Sequence, residues 1–401
     1  MTCLFCDNKL DAATKPEHVL LNALGGRKTS KKLICSVCNN EFGGSIDAAL
    51  ANQVPLLRNL LQLYSGTGKP PPTIKGVKAG DEVVDFLPNG TADSRASPFR
   101  IIREDEGIRL EVDVRSPEHL AEMIPHIAAQ VKMPEDRVRQ LLPDGEARAI
   151  QRRVGSMHGR FSFGGELAIR SMVKACLEIT ALAVGNDVTR STPFDLARSF
   201  VNVGSETFVR ERTHLDDRLL PNVAQLIELY GTAFNLVCVR SDEHGRVLGH
   251  FTLYNMLAWQ VVLAEEGGPP NLQLALVSDP MNQANWSEEP SVIDDVSWAW
   301  LASPSHADFA TVMPQRVGAI LKLANDIGTS RAIERIVGDV FERHGVSGDV
   351  VVEDEAMKEA ILSEAIHRAA HLLLKVPLEQ VVSQDELARW LANPSADENA
   401  G

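Results

Sequence analysis

Apolar positions along the chain change period several times, and each change marks a predicted element. In SIDAALANQVPLLRNLLQLYSG, residues 45–66, apolar residues recur at helical spacing on both sides of Pro55, which predicts two helices divided by the proline. TGKPPPTIKGV, residues 67–77, breaks that pattern with a proline-rich connector that cannot be helical, and a domain boundary is placed between Gly66 and Gly80. DEVVDFLPNG and FRIIREDEGIRLEVDVR are short β-branched runs separated by PNG and DEG, the signature of strands and turns. SPEHLAEMIPHIAAQVKMPEDRVRQLL returns to helical period behind a Ser-Pro-Glu start.

GGELAIRSMVKACLEITALAVG, residues 164–185, predicts a long helix of low charge at the centre of a core. AFNLVCVRSDEHGRVLGHFTLYNMLAWQVVLAEE, residues 233–266, predicts three strands, the first two joined by a hairpin turning near DEHG. After Pro314 the pattern is helical up to HLLLKV, and NPSADENAG at the end reads as a disordered tail. The expected fold class is α+β. Its expected domains are 1–66, a small cysteine-bearing unit with its following helices; 67–160, an α+β region; 161–392, an α+β domain with a helical C-terminal part; and the tail 393–401.

Composition adds limits to this picture. A chain of 401 residues that is 44% hydrophobic and 23% charged can bury two or three cores, which excludes complete disorder. MTCLFCDNKL lacks a basic start followed by an apolar run, and no eighteen consecutive apolar residues occur, so a cytoplasmic protein without membrane spans is expected. The formal net charge of -14 looks wrong for a phosphate binder, but it is unevenly placed. From Glu265 onward there are 9 Lys plus Arg against 23 Asp plus Glu, so residues 1–264 balance to zero. Acidity of the C-terminal third leaves a nucleic-acid site at the other end open.

Four of the six cysteines form two CxxC pairs, Cys3 with Cys6 and Cys35 with Cys38, separated by 28 residues. Two such pairs suit a closed tetrahedral zinc site, which is structural because cysteine fills every position. A small unit with little core depends on such a metal to fold. Cys176 and Cys238 stand alone among apolar residues and read as core positions.

Between the jaws lies EHVLLNALGG, and the second jaw continues as CSVCNNEFG. With these pieces, residues 3–50 resemble the HNH endonuclease family, whose ββα-metal finger carries an acidic-His dipeptide, a glycine pair and a cysteine-flanked Asn or His. The resemblance implies phosphodiester hydrolysis, with His18 as the base for the attacking water and Glu17 and Asn39 as oxygen ligands of a catalytic Mg²⁺ or Mn²⁺; Asn40 is an alternative ligand to Asn39. It also implies duplex DNA as partner, and in bacteria such nucleases often serve defence against foreign DNA. Adjacent strand residues face opposite sides, so Glu17 and His18 can divide the work only if the chain bends or the metal sits at the strand's end. The sequence departs from the family where Glu17 replaces the usual Asp and where Ser30 stands in place of the middle Asn, with Asn22 as a substitute from the other side. The bland alternative is a zinc module that binds nucleic acid or protein without cutting, with Glu17 a capping carboxylate and His18 a structural histidine.

Arg27, Lys28, Lys31 and Lys32 lie between the glycine turn and the second jaw and are expected to contact phosphates. A second basic stretch, with Arg139, Arg148, Arg152 and Arg153, is a candidate extension. SGTGKPPP lacks the leading glycine and the Ser or Thr of a phosphate loop and reads as a linker. Glu364, His367 and His371 can share a helix face and read as an amphipathic surface rather than a metal site. The tryptophans are too scattered for a base-stacking platform. Self-association, and a protein or small-molecule trigger acting on the C-terminal part, stay open.

Overall fold

The computed structural model describes residues 1–104, 107–114, 117–142, 147–151, 162–282, 284–291, 293, 296–303, 309–346, 351–376 and 378–382. The chain forms two compact units. The first comprises Met1–Ile74, Phe86–Thr91 and Gly159–Gly328; the second comprises Lys75–Asp85, Ala92–His158 and Thr329–Gly401. The expected tail, Trp390, Arg152 and Arg153 lie outside the described residues.

The chain begins with strands β1 (Glu17–His18) and β2 (Thr29–Ser30) and helix α1 (Ser36–Gly44), followed by α2 (Ile46–Ala51) and α3 (Pro55–Leu60). Pro55 occupies the first turn of α3, where its missing N–H costs nothing, so the two helices predicted around it are both present. Strands β3 (Ile74–Ala79), β4 (Glu82–Phe86) and β5 (Ala92–Ser94) form a sheet in that order, and β6 (Phe99–Glu104) pairs with β7 (Gly107–Val112) as a hairpin. Helices α4 (Pro117–Val131) and α5 (Glu135–Leu141) follow, then β8 (Ala147–Gln151).

The first unit resumes with α6 (Glu166–Val184), α7 (Asn186–Thr189), α8 (Asp195–Val203), α9 (Glu206–Arg212), β9 (Thr213–Asp216) and α10 (Val223–Tyr230). Strands β10 (Asn235–Ser241), β11 (Val247–Leu253), β12 (Leu257–Ala264) and β13 (Gln273–Ser278) join β9 in an antiparallel sheet ordered β13-β10-β11-β12-β9. The three strands and the hairpin at Asp242–Gly245 predicted from alternation are present, and β9 and β13 extend the sheet on either side. The chain continues through α11 (Trp298–Ala302), α12 (Phe309–Arg343), α13 (Glu355–Leu374) and β14 (Leu378–Val382), which pairs antiparallel with β8.

Helix α6 is the axis of the first unit's core. It is buried without a break from Ser171 to Ala181, packing on α2, on α8 and on β10 to β13. Its close approach to β11 requires Gly249, where an added Cβ would lie 2.8 Å from Cys176 Sγ and 2.8 Å from the Val261 side chain. Cys176 and Cys238 are both fully buried, as core positions should be. On the other face of the sheet, Leu226 of α10 packs with Leu236, Cys238, Ala275 and Val277. A buried polar patch shares that face: Asp216 bonds Arg218 and Gln260, each at 2.8 Å, and His250 Nε2 meets Thr252 Oγ1 at 3.0 Å. Burial drives His250 down to about 4, so the ring is neutral in the folded chain.

In the second unit, Leu120, Ile124 and Ile127 of α4 and Val138 of α5 pack with Phe99, Leu110 and Val112 of the hairpin. Ile336 and Val340 of α12 pack with Ile361 of α13. Glu364 bonds His344 Nε2 at 3.2 Å, and His367 and His371 meet edge to face, their ring centroids 4.7 Å apart. No helix among the described residues is long and apolar enough to cross a membrane.

Because the α6–β11 contact has no spare space, Gly249→Ala is expected to destabilise the first unit by about 1–3 kcal/mol in chemical denaturation. Adding Cys176→Ala, which removes one of the two obstructing groups, should recover part of that loss.

Candidate active site

The cysteine jaws are shaped by short-range backbone bonds. A bridge between Thr2 and Lys9 and the bond from Cys3 N to Asn8 O at 2.9 Å fold the first CxxC into a knuckle. The second pair sits at the start of α1, with Cys35 in extended backbone at the N-cap and Cys38 in the first turn. Leu4 N donates to Leu33 O at 2.9 Å, which sets one jaw against the other. The four Sγ atoms lie within 4.8 Å of one another, with Cys6–Cys35 at 3.6 Å and Cys6–Cys38 at 3.5 Å. A tetrahedral zinc with bonds of about 2.3 Å places its sulfurs roughly 3.8 Å apart, so the donor set fits. Without a cation such thiols must share protons: a hydrogen bond with Cys38 draws Cys3 down to about 5, while Cys38 is driven far up by its bond to Cys3. Zinc would displace those protons.

Residues that the sequence reading did not single out hold the knuckle from outside. Every carbonyl from Thr2 to Cys6 accepts a side-chain hydrogen bond: Thr2 from Asn186, Cys3 and Cys6 from Arg190, Leu4 from Arg198 and Phe5 from Asn202. Asn186 also donates to Leu33 O at 2.9 Å, touching both jaws. The glycine pair has a packing role. Gly25 adopts a φ of +91°, its carbonyl accepts from Ser278 Oγ at 2.8 Å, and a Cβ there would strike Pro280. Gly26 sits so close to Leu20 O that no side chain fits.

Strands β1 and β2 pair antiparallel, Glu17 opposite Ser30 and His18 opposite Thr29, and with α1 they complete the expected ββα order. The alternation of strand faces separates the dipeptide. Glu17 is 5% exposed; its Oε1 accepts from Lys174 Nζ of α6 at 2.6 Å. The same ammonium meets Asp47 Oδ2 of α2 at 2.8 Å, and Ser171 Oγ donates to Asp47 Oδ1 at 2.5 Å. Burial opposes the charge of Lys174, but Glu178, Asp47 and Glu17 outweigh it and keep the lysine protonated. Burial pushes Glu17 up, against the pull of Lys174, and pushes Glu178 well above the usual carboxylate range.

His18 is half-buried, and no side chain among the described residues hydrogen-bonds its ring. Burial first, and the nearby Lys174 charge second, lower it below the usual imidazole range. Asn39 is half-buried and its Nδ2 donates to Pro16 O at 3.2 Å, tying α1 to the start of β1. Asn40 is exposed, and its Oδ1 accepts from Lys15 Nζ at 3.2 Å. Asn22 does not steady His18: its Oδ1 accepts from Thr67 N at 3.0 Å, and its carbonyl takes Gly66 N, which ties the start of SGTGK to the segment before the glycine turn. Ser30 Oγ caps Lys32 N at 3.1 Å. Of the basic cluster, Lys31 and Lys32 are exposed, Arg27 and Lys28 half-buried, and Lys28 pairs with Glu289. Arg139 and Arg148 belong to the second unit.

A hydrated divalent ion does not fit the expected ligand set. Glu17 presents its carboxylate to a buried ammonium, whereas Mg²⁺ keeps several waters and needs an open shell. The signal for this pairing was present in the sequence as Lys174 and Glu178, the charged i, i+4 pair within the apolar stretch from Met172 to Val184 of α6.

Residues 3–55 match the family model for HNH endonuclease, so the resemblance carried by the two CxxC pairs, Glu17-His18 and Cys38-Asn39 holds for this segment. No curated protein and no solved structure matches the chain.

The purified protein is expected to hold about one zinc per chain. Cys38→Ala should lose that zinc by elemental analysis and open the first 44 residues to limited proteolysis.

Proposed function

We propose that the chain is an endonuclease that hydrolyses phosphodiester bonds at its N-terminal finger, with DNA as substrate and His18 as general base. The observation that carries this reading is the placement of His18: half-buried next to Glu17 on β1, where burial and then Lys174 disfavour its protonation, in a segment that matches the HNH endonuclease family model. A neutral imidazole takes the proton of an attacking water, a contribution of typically 10²–10⁴-fold. Lys31 and Lys32, exposed beside β2, supply phosphate contacts that position the strand without reading its bases. Asn39 orients the segment before the dipeptide through Pro16 O.

The Glu17–Lys174 pair favours a second reading, in which the finger is a zinc scaffold that binds nucleic acid without cutting it. Plasmid cleavage by wild type and His18→Ala, with Mg²⁺, Mn²⁺ or EDTA, separates the two. The nuclease reading expects nicking by the wild type and a loss of about 10²–10⁴-fold in His18→Ala at equal zinc content. Equal cutting by both proteins removes His18 from the mechanism; binding without cutting by either supports the scaffold. The base works unprotonated, and its protonation is disfavoured in the fold. The acid limb of kcat/KM is therefore expected below pH 6.5, the range of an ordinary imidazole. Defence against foreign DNA is the biological setting this activity suits: in phage-plaque counts, protection should be lost with His18→Ala.

A further inference from the structure

The cation at Glu17 comes from the chain itself. Lys174 stands 157 residues from Glu17 in sequence, on a helix outside the matched segment, and its side chain is 3% exposed. Its ammonium is the meeting point of two carboxylate oxygens, Glu17 Oε1 at 2.6 Å and Asp47 Oδ2 at 2.8 Å. Those distances exceed the bond length of a small divalent ion such as Mg²⁺ to oxygen by about 0.5–0.8 Å. Ser171 holds the other oxygen of Asp47, and Glu178 Oε1 waits 3.9 Å from the ammonium. Both oxygens of Glu178 are buried without a hydrogen-bond partner. The cluster therefore gathers three carboxylates around one lysine, two of them in direct contact with its ammonium.

We propose that Lys174 is the resident counter-cation of Glu17, occupying the place where this carboxylate would otherwise meet a divalent metal, so that α6 completes the finger as a positioning element. The consequence is specific: Glu17 orients β1 through an ion pair and binds no metal in the working protein. The proposal rests on the nuclease reading only for the class of metal concerned, and it is tested by metal binding, so the two can fail separately.

The experiment is Mn²⁺ titration of the zinc-loaded full chain, followed by electron paramagnetic resonance, with and without a duplex oligonucleotide. Wild type and the isosteric Glu17→Gln are compared first. Unchanged Mn²⁺ affinity, or no binding by either, is the expected result. A tenfold or greater loss of affinity in Glu17→Gln, in either condition, overturns the proposal by making Glu17 a ligand. The second arm is Lys174→Ala, with zinc content and circular dichroism as checks of folding. Vacating the lysine should create a Mn²⁺ site that the double variant Lys174→Ala/Glu17→Gln loses. A folded Lys174→Ala protein with no new Mn²⁺ site also overturns it. Removing one partner of a buried ion pair is strongly destabilising, and the Glu17→Gln comparison decides the matter even where Lys174→Ala does not fold.

Discussion

A single buried ammonium constrains the first unit. Lys174 lies out of water and requires negative partners within hydrogen-bond reach; the chain supplies Glu17 from β1 and Asp47 from α2, while Ser171 on α6 braces Asp47. Three elements distant in sequence are thereby brought to one point. Because side chains alternate along a strand, turning Glu17 inward toward Lys174 turns His18 the other way. The electrostatics follow the same geometry: the charge that holds Glu17 also disfavours protonation of His18.

The cysteine knuckle shows the same dependence on distant residues. Its backbone carbonyls from Thr2 to Cys6 face Asn186, Arg190, Arg198 and Asn202, which satisfy acceptors that a short, irregular segment cannot pair for itself. Zinc would supply the cross-link between the jaws, and α7 and α8 supply the frame around them. The Gly25-Gly26 turn completes the arrangement from the sheet side, where Asn235 donates to Leu24 O and Ser278 to Gly25 O. Glycine is needed there for close approach of Pro280 and Leu20, a packing demand rather than a phosphate cradle.

Much of the site was legible because it is local. The spacing of Cys3, Cys6, Cys35 and Cys38 specifies a tetrahedral thiolate site in whatever fold contains it, and the jaws do converge. Pro55, the hairpin at Asp242–Gly245 and the low charge of α6 likewise act within a few residues. β9 escaped notice because four residues carry too little alternation to be distinguished from a loop, and it becomes a strand by pairing with β12.

By itself the sequence determined the four thiols that suit zinc and the position of His18 beside a carboxylate, since each depends on covalent spacing over a short span, while the ββα order was what the family resemblance implied. Only the tertiary structure decided what that carboxylate does. Glu17 could ligate a metal, cap a turn or pair with a cation, and nothing within reach of its own strand distinguishes these. The choice came from a lysine on a helix buried for its apolar surface, and a buried charge takes the nearest opposite charge that the packed chain brings to it.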